Sequence, residues 1–198
     1  MNRQHYTRTS GMNIVKRYLW FSQASLIICL VICYLMLPSV MDYNGGASNF
    51  GDGFPTVIPY TLGFALSALL LWAAASKLSE MEQKLRKTPA LVATIGVLDL
   101  LVLLTTFDRK VNHLYYLVHD YLGVTLFAYE FALSVWIVYK TKSFATALFL
   151  LVGSIGSLIG LLSLVGPLRL LFAGQMIGGI GFGLVLTVGL PSAVAALS

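Results

Sequence analysis

Six stretches of this chain, each about twenty residues long and nearly free of charge, fix most of what it can fold into. They cover residues 18–37, 57–76, 89–107, 119–139, 144–165 and 168–190. Coiled as an α-helix at ~1.5 Å per residue, a run of that length crosses the ~30 Å hydrocarbon layer of a bilayer. Backbone N–H and C=O groups find no water in hydrocarbon, so a spanning segment must satisfy them internally, which a helix does. The opposite expectation, a water-facing surface, calls for roughly 25% charged residues. Here 11% of the 198 residues are charged and 58% are hydrophobic. The sequence predicts an all-α, polytopic membrane helix bundle: a basic arm over 1–17, one six-helix domain over 18–190, and a short tail over 191–198.

The segments between runs set the expected sidedness. With the N-terminus cytoplasmic, the inner segments hold ten Lys and Arg residues, in the arm, at Lys77, Lys84, Arg86 and Lys87, and at Lys140 and Lys142. The outer segments hold three, Arg109, Lys110 and Arg169. That bias favours both termini inside, in a multi-pass protein of the cell membrane. The first run exceeds a signal-peptide core, and the residues after it lack a small-residue cleavage pattern, so it is read as a retained anchor. The net charge of +5 is spread over short flanks rather than a basic domain, which excludes nucleic acid and makes membrane lipids the expected partners. In the connector after run two, Glu80 with Lys84 and Glu82 with Arg86 have the i,i+4 spacing of helical ion pairs, extending that helix into water. Pro89 suits a first helical turn, and Pro191 is expected to close run six.

Glycine concentrates in the last two runs. Gly156/Gly160, Gly174/Gly178 and Gly179/Gly183 each have the small-xxx-small spacing that lets helix backbones approach closely. The short Gly166-Pro167 turn between the runs favours a tight hairpin within one protomer, with a homo-oligomer seam as the alternative. Cys29 and Cys33, one turn apart in run one, read as small polarizable side chains rather than a disulfide.

Polar groups at membrane depth are costly and invite a functional reading. Asp99, Glu130 and Gln175 are the intramembrane candidates. At ~1.5 Å per residue, Asp99 and Gln175 lie about 12 and 10 Å below the outer end, so the two are expected to meet across the bundle. Glu130 lies lower, about 16 Å along the helix from His119 on the same face. An outer-face cluster is the second candidate: Asn49, Asp52, His119 and Asp120, with Asp42, Asn44, Asp108 and His113 on the same side. Carboxylates with imidazole can hold a divalent cation or exchange protons, but a His-Asp pair opening a helix also serves as a terminal feature favoured by the helix dipole.

Several chemistries lack their residues. There is no HExxH pair, P-loop or GxSxG elbow, no mid-membrane lysine for a Schiff base, no arginine-rich voltage sensor and no TVGYG filter. Three histidines, one of them in the arm, do not suit a bis-histidine haem. No cofactor is expected. The aromatic residues near run ends, among them Tyr18, Trp20, Tyr115, Tyr121, Trp136 and Tyr139, read as interfacial belts.

Two short stretches resemble known membrane proteins. Ser48-Asn49-Phe50-Gly51 resembles the Ser-x-Leu-Gly turn after helix one of bacterial six-helix families of unknown function. Val118-His119-Asp120-Tyr121-Leu122-Gly123, followed by Phe127, resembles the His-Asp-x-Gly stretch opening helix four of the DRAM-like (damage-regulated autophagy modulator) family, with one extra residue before Gly123. The resemblance implies an N-in six-helix bundle whose outer loop packs near the start of helix four, and it implies no established reaction. The expected function is a non-enzymatic, lipid-contacting or regulatory membrane protein. The alternatives are a small-solute or proton-coupled transporter using Asp99, Glu130 and His119, and an enzyme acting on lipid headgroups through His119 and Asp120.

Overall fold

The computed structural model describes residues 3–42, 44–81, 87–107, 113–166 and 168–197, with side chains described between 11 and 195 within those ranges. Its helices are α1 (Arg3–Met36), α2 (Val57–Met81), α3 (Lys87–Thr106), α4 (His113–Thr141), α5 (Phe144–Leu164), α6 (Leu171–Leu184) and α7 (Leu190–Leu197). Two short 3-10 helices, Pro38–Met41 and Ala47–Asp52, shape the first loop, and a π-helical turn over Val185–Gly189 joins α6 to α7. Six spans are long and apolar enough to cross a membrane, the last being the composite Leu171–Ala195. The chain is an integral, multi-pass membrane protein.

The apolar residues divide by helical periodicity. On α1, Val15, Leu19, Ser22, Leu30 and Cys33 are buried, while Phe21, Ile28, Ile32 and Leu35 on the other side are exposed. On α5 an outward row of Leu148, Leu151, Ile155, Leu158 and Leu162 repeats every three or four residues. In water such rows would drive aggregation; against lipid tails they carry no penalty. Neighbouring helices pack in sequence order, α1 on α2, α2 on α3, α3 on α4, with the closest later pairing between α5 and α6. The last span closes the bundle. Of its most apolar stretch 61% is buried, against 22% for α4 and for α5, and it packs against α1, α4 and α5.

Four boundaries depart from the sequence reading. The basic segment at the start is helical, since α1 begins at Arg3, and the apolar span starts earlier than residue 18, at Gly11, with Val15 packed inside. The α4 helix opens at His113 rather than His119: Leu114, Tyr115, Tyr116 and Leu117 carry an amphipathic interfacial turn ahead of the apolar run. At the start of the last span, residues 168–170 remain in the turn, and α6 begins at Leu171. Pro191 does not end the last span. The wide π turn before it shifts the backbone register, so the proline falls in the opening turn of α7, where a missing N–H is tolerated. The extension of α2 to Met81 matches expectation, and Lys77 pairs with Glu80 at 2.6 Å. Lys84, Glu82 and Arg86 lie outside the described residues.

Candidate functional site

At the end of the bundle bearing the first loop, polar side chains latch that loop to the helices. Asn44 adopts the left-handed region at φ 58°, which asparagine tolerates better than most residues. Its Nδ2 donates to the Ser163 carbonyl (2.9 Å), and its Oδ1 accepts from Leu171 N–H (3.1 Å). One side chain thus joins the end of α5 to the start of α6 and satisfies an orphan amide of the helix terminus. Ala47 N–H donates to Gln175 Oε1 at 2.7 Å. A Cβ on Gly46 would stand 3.0 Å from that same oxygen, so the loop backbone lies hard against α6.

Apolar contacts complete the latch. Phe50 is 0% exposed and meets Phe172 edge-on at 5.2 Å, while Tyr34 stacks on Phe172 at 5.7 Å. Such aromatic pairs add about 0.5–1.5 kcal/mol beyond their burial. Thr56 Oγ1 donates to the Phe50 carbonyl at 2.7 Å, closing the loop on itself. Gly51 is in contact with Thr106 and with the Tyr60 ring, leaving no room for a Cβ.

His119 belongs to this packing. It is 5% exposed, with Nδ1 3.2 Å from Thr105 Oγ1 and 3.4 Å from Thr106 Oγ1. Both threonine hydroxyls donate to carbonyls of their own helix, at Leu101 and Val102. Tyr60 OH lies 3.2 Å from Thr106 Oγ1, so imidazole, phenol and the two hydroxyls form one polar contact between α2, α3 and α4.

Within the outer-face quartet, His119 and Asp120 face different surroundings. His119 turns inward, and Asp120, one residue on and ~100° around the helix, is exposed. Since α4 opens six residues earlier, this His-Asp pair is not a helix-terminus feature either. Asn49 and Asp52 are half-buried in the loop. Among the described residues, no three His, Cys, Asp or Glu side chains gather in a metal-binding geometry.

A second polar line crosses the middle of the bundle. Ser22 on α1 lies 3.0 Å from Ser67 on α2, and Ser67 Oγ donates to Asp99 Oδ2 at 3.1 Å. Because Ser67 gives its proton to Asp99, Ser22 donates to Ser67, and the line is polarised toward the carboxylate. Asp99 is 3% exposed. Glu130, half-buried on α4 in the row with Leu126 and Leu133, lies within electrostatic reach of Asp99 and takes no hydrogen bond among the described residues. Next to Ser22 on α1, Gln23 Oε1 packs against Gly183 of α6. The expected meeting of Asp99 with Gln175 does not occur: Asp99 is held by Ser67 and Gln175 by the loop. Their similar depth is not enough, since each faces a different neighbour.

The glycine seam is a hairpin within the chain. Gly156 meets Gly178, Gly160 meets Gly174 and Gly153 meets Gly181, each pair in backbone contact across α5 and α6. Gly179 and Gly183 do not continue it. A Cβ on Gly179 would meet nothing within 4 Å, and Gly183 faces α1 instead.

Ser22, Gln23, Ser67, Tyr60, Thr105 and Thr106 are not singled out by hydropathy or spacing. All but the half-buried Thr105 are polar residues on the buried stripe of an otherwise apolar run, the signal that could have singled them out. Comparison with protein-family models, curated proteins and solved structures found no match for this chain.

The latch makes a direct prediction. Asn44→Ala removes both loop-to-hairpin bonds and places alanine in a left-handed conformation, at an expected cost of about 2 kcal/mol. The variant should melt several degrees below wild type in detergent, while Asp42→Ala, altering an exposed neighbour, should not. Identical melting of both would show that Asn44 holds nothing.

Proposed function

We propose that this chain is a non-enzymatic, lipid-contacting multi-pass protein of the cell membrane, with both termini cytoplasmic and its first loop serving as a fixed cap on the outer face. The observation that carries this reading is where the outer polar groups point. Asn44, Gln175, His119, Tyr60 and Thr106 are engaged in holding loop to helix and helix to helix. An outer acid–base site would need His119 and Asp120 to face one reacting atom, and they diverge. The protein acts, on this reading, through contact and conformation rather than turnover. The two stretches resembling DRAM-like and related six-helix proteins sit on either side of the junction between Gly51, Thr106 and His119, which supports a kinship with that regulatory class.

A second reading is favoured by one observation: two carboxylates, Asp99 and Glu130, share the membrane interior with a serine line leading to them. Intramembrane carboxylates commonly carry protons or small cations. Purified protein in vesicles loaded with a pH dye separates the two. The first reading expects proton flux equal to that of empty vesicles. Flux above that level, abolished by Asp99→Asn, would replace it with a proton-coupled pathway. A reporter fused after Ser198 tests sidedness independently, with cytoplasmic activity expected.

A further inference from the structure

The face of α1 turned away from the bundle carries a groove of about 310 Å³ lined by Asn13, Lys16, Arg17, Trp20 and Phe21. That volume is at the small end of the range for ligand sites. The five residues follow the i, i+3/i+4, i+7/i+8 spacing of one helix face. We propose that this groove is a binding site for the headgroup of an anionic phospholipid, with the acyl chain running up the same face of α1. The proposal rests on the membrane reading above and, for the leaflet involved, on its sidedness.

Charge comes first. Lys16 and Arg17 are exposed and, among the described residues, neither makes an ion pair or a hydrogen bond. Two uncompensated cations on adjacent positions at the edge of a span attract phosphate, each contributing about as much as a juxtamembrane basic residue does at an anionic surface. Arginine adds a fork that fits phosphate oxygens in two-point contact.

Order along the helix is the second argument. Asn13, Lys16 and Arg17 come first, and Trp20, 42% exposed, follows one turn deeper, where an indole sits at the headgroup boundary. Phe21 and then Ile28 continue the exposed row to the membrane centre. Polar, amphipathic and apolar residues thus succeed one another in the order of a phospholipid's own parts. A soluble anion would use only the first of these, and a second protein chain would leave two cations facing an apolar seam. The buried row of Val15, Leu19 and Ser22 faces the opposite way, so occupancy requires no rearrangement of the bundle.

The test uses Trp20 as its own reporter. The full chain carrying Trp72→Phe and Trp136→Phe is reconstituted in phosphatidylcholine vesicles containing phosphatidylglycerol in both leaflets, with one lipid or the other brominated. Brominated phosphatidylglycerol should quench Trp20 with an apparent preference of about fivefold over brominated phosphatidylcholine, a factor equivalent to one basic residue's share at an anionic surface. Lys16→Gln with Arg17→Gln should bring the preference close to one. Lys140→Gln with Lys142→Gln, which removes cations elsewhere, should leave it intact. Equal quenching by the two lipids in the parent would overturn the proposal, as would loss of preference in the Lys140/Lys142 variant alone. Relief of the phosphatidylglycerol quenching by inorganic phosphate would also overturn it, assigning the groove to a soluble anion. Because both leaflets carry the lipid, the preference is read in either orientation; a reporter placing the termini outside would change only the leaflet.

Discussion

Gly156→Leu is expected to lower the melting temperature of the detergent-solubilised protein by roughly 10 °C, or to prevent its recovery in a monodisperse state. The three glycine pairs bring the backbones of α5 and α6 into direct contact, and a side chain at Gly156 would project into the amide of Gly178. No rotamer avoids this, because the obstacle is main chain on a helix joined by a short turn. The helices must separate, and contact along the whole seam is lost. Overpacking alone costs about 1–3 kcal/mol, and separation of the pair raises that further. For a chain of this size about 3 kcal/mol corresponds to a shift of that order. Gly179→Leu is the matched control, on the partner helix α6 and with the same added volume, directed into open space. It should melt within a degree or two of wild type. If both variants melted alike, the seam would not be where the stability of the hairpin resides.

The second large effect is confined to the cap. Phe50→Ala should loosen the first loop by about 3 kcal/mol, the usual cost of removing a fully buried phenyl ring. Hydrogen exchange of loop amides, such as that of Asn49 bonded to the Gly46 carbonyl, should then accelerate roughly a hundredfold while helical amides in α2 and α5 keep their protection. Phe54, in the same loop, is 86% exposed, and Phe54→Ala should leave exchange unchanged. Undiminished protection in the Phe50 variant would mean that the Asn44 and Gln175 bonds hold the loop by themselves.

Hydropathy and spacing were sufficient for the spans and for the α5–α6 hairpin. Both are properties of one segment, or of two segments joined by a turn. The polar pairings are of another kind. Asp99 and Gln175 occupy similar depths, yet depth says nothing about rotation, and each helix's rotation is set by the packing of its whole apolar face. Ser67 reaches Asp99 because the stripe containing Leu71 and Ala74 turns that side of α2 toward α3. Nothing local to Asp99 specifies it. His119 is the same case in reverse: the adjacent aspartate suggested a joint role, whereas helical geometry sends neighbours in sequence to different surroundings. The π turn escaped detection because Pro191 is an equally good reason for a helix to stop.

That turn changes how the last span must be aligned and altered. Above it, Gly174, Gly178 and Gly181 address α5; at its end Gly189 abuts Ile137 of α4 and Thr146 of α5, and below it Leu190, Ala193 and Val194 are fully enclosed. A π turn holds one more residue than an α turn, so it advances everything after it by about one position around the axis. Deleting a single residue between 185 and 189 would let the helix run straight through. It would also swing Ala193 and Val194 from protein toward lipid. The extra residue acts as a phase adjuster, letting one continuous rod mesh with two sets of partners whose teeth are out of step.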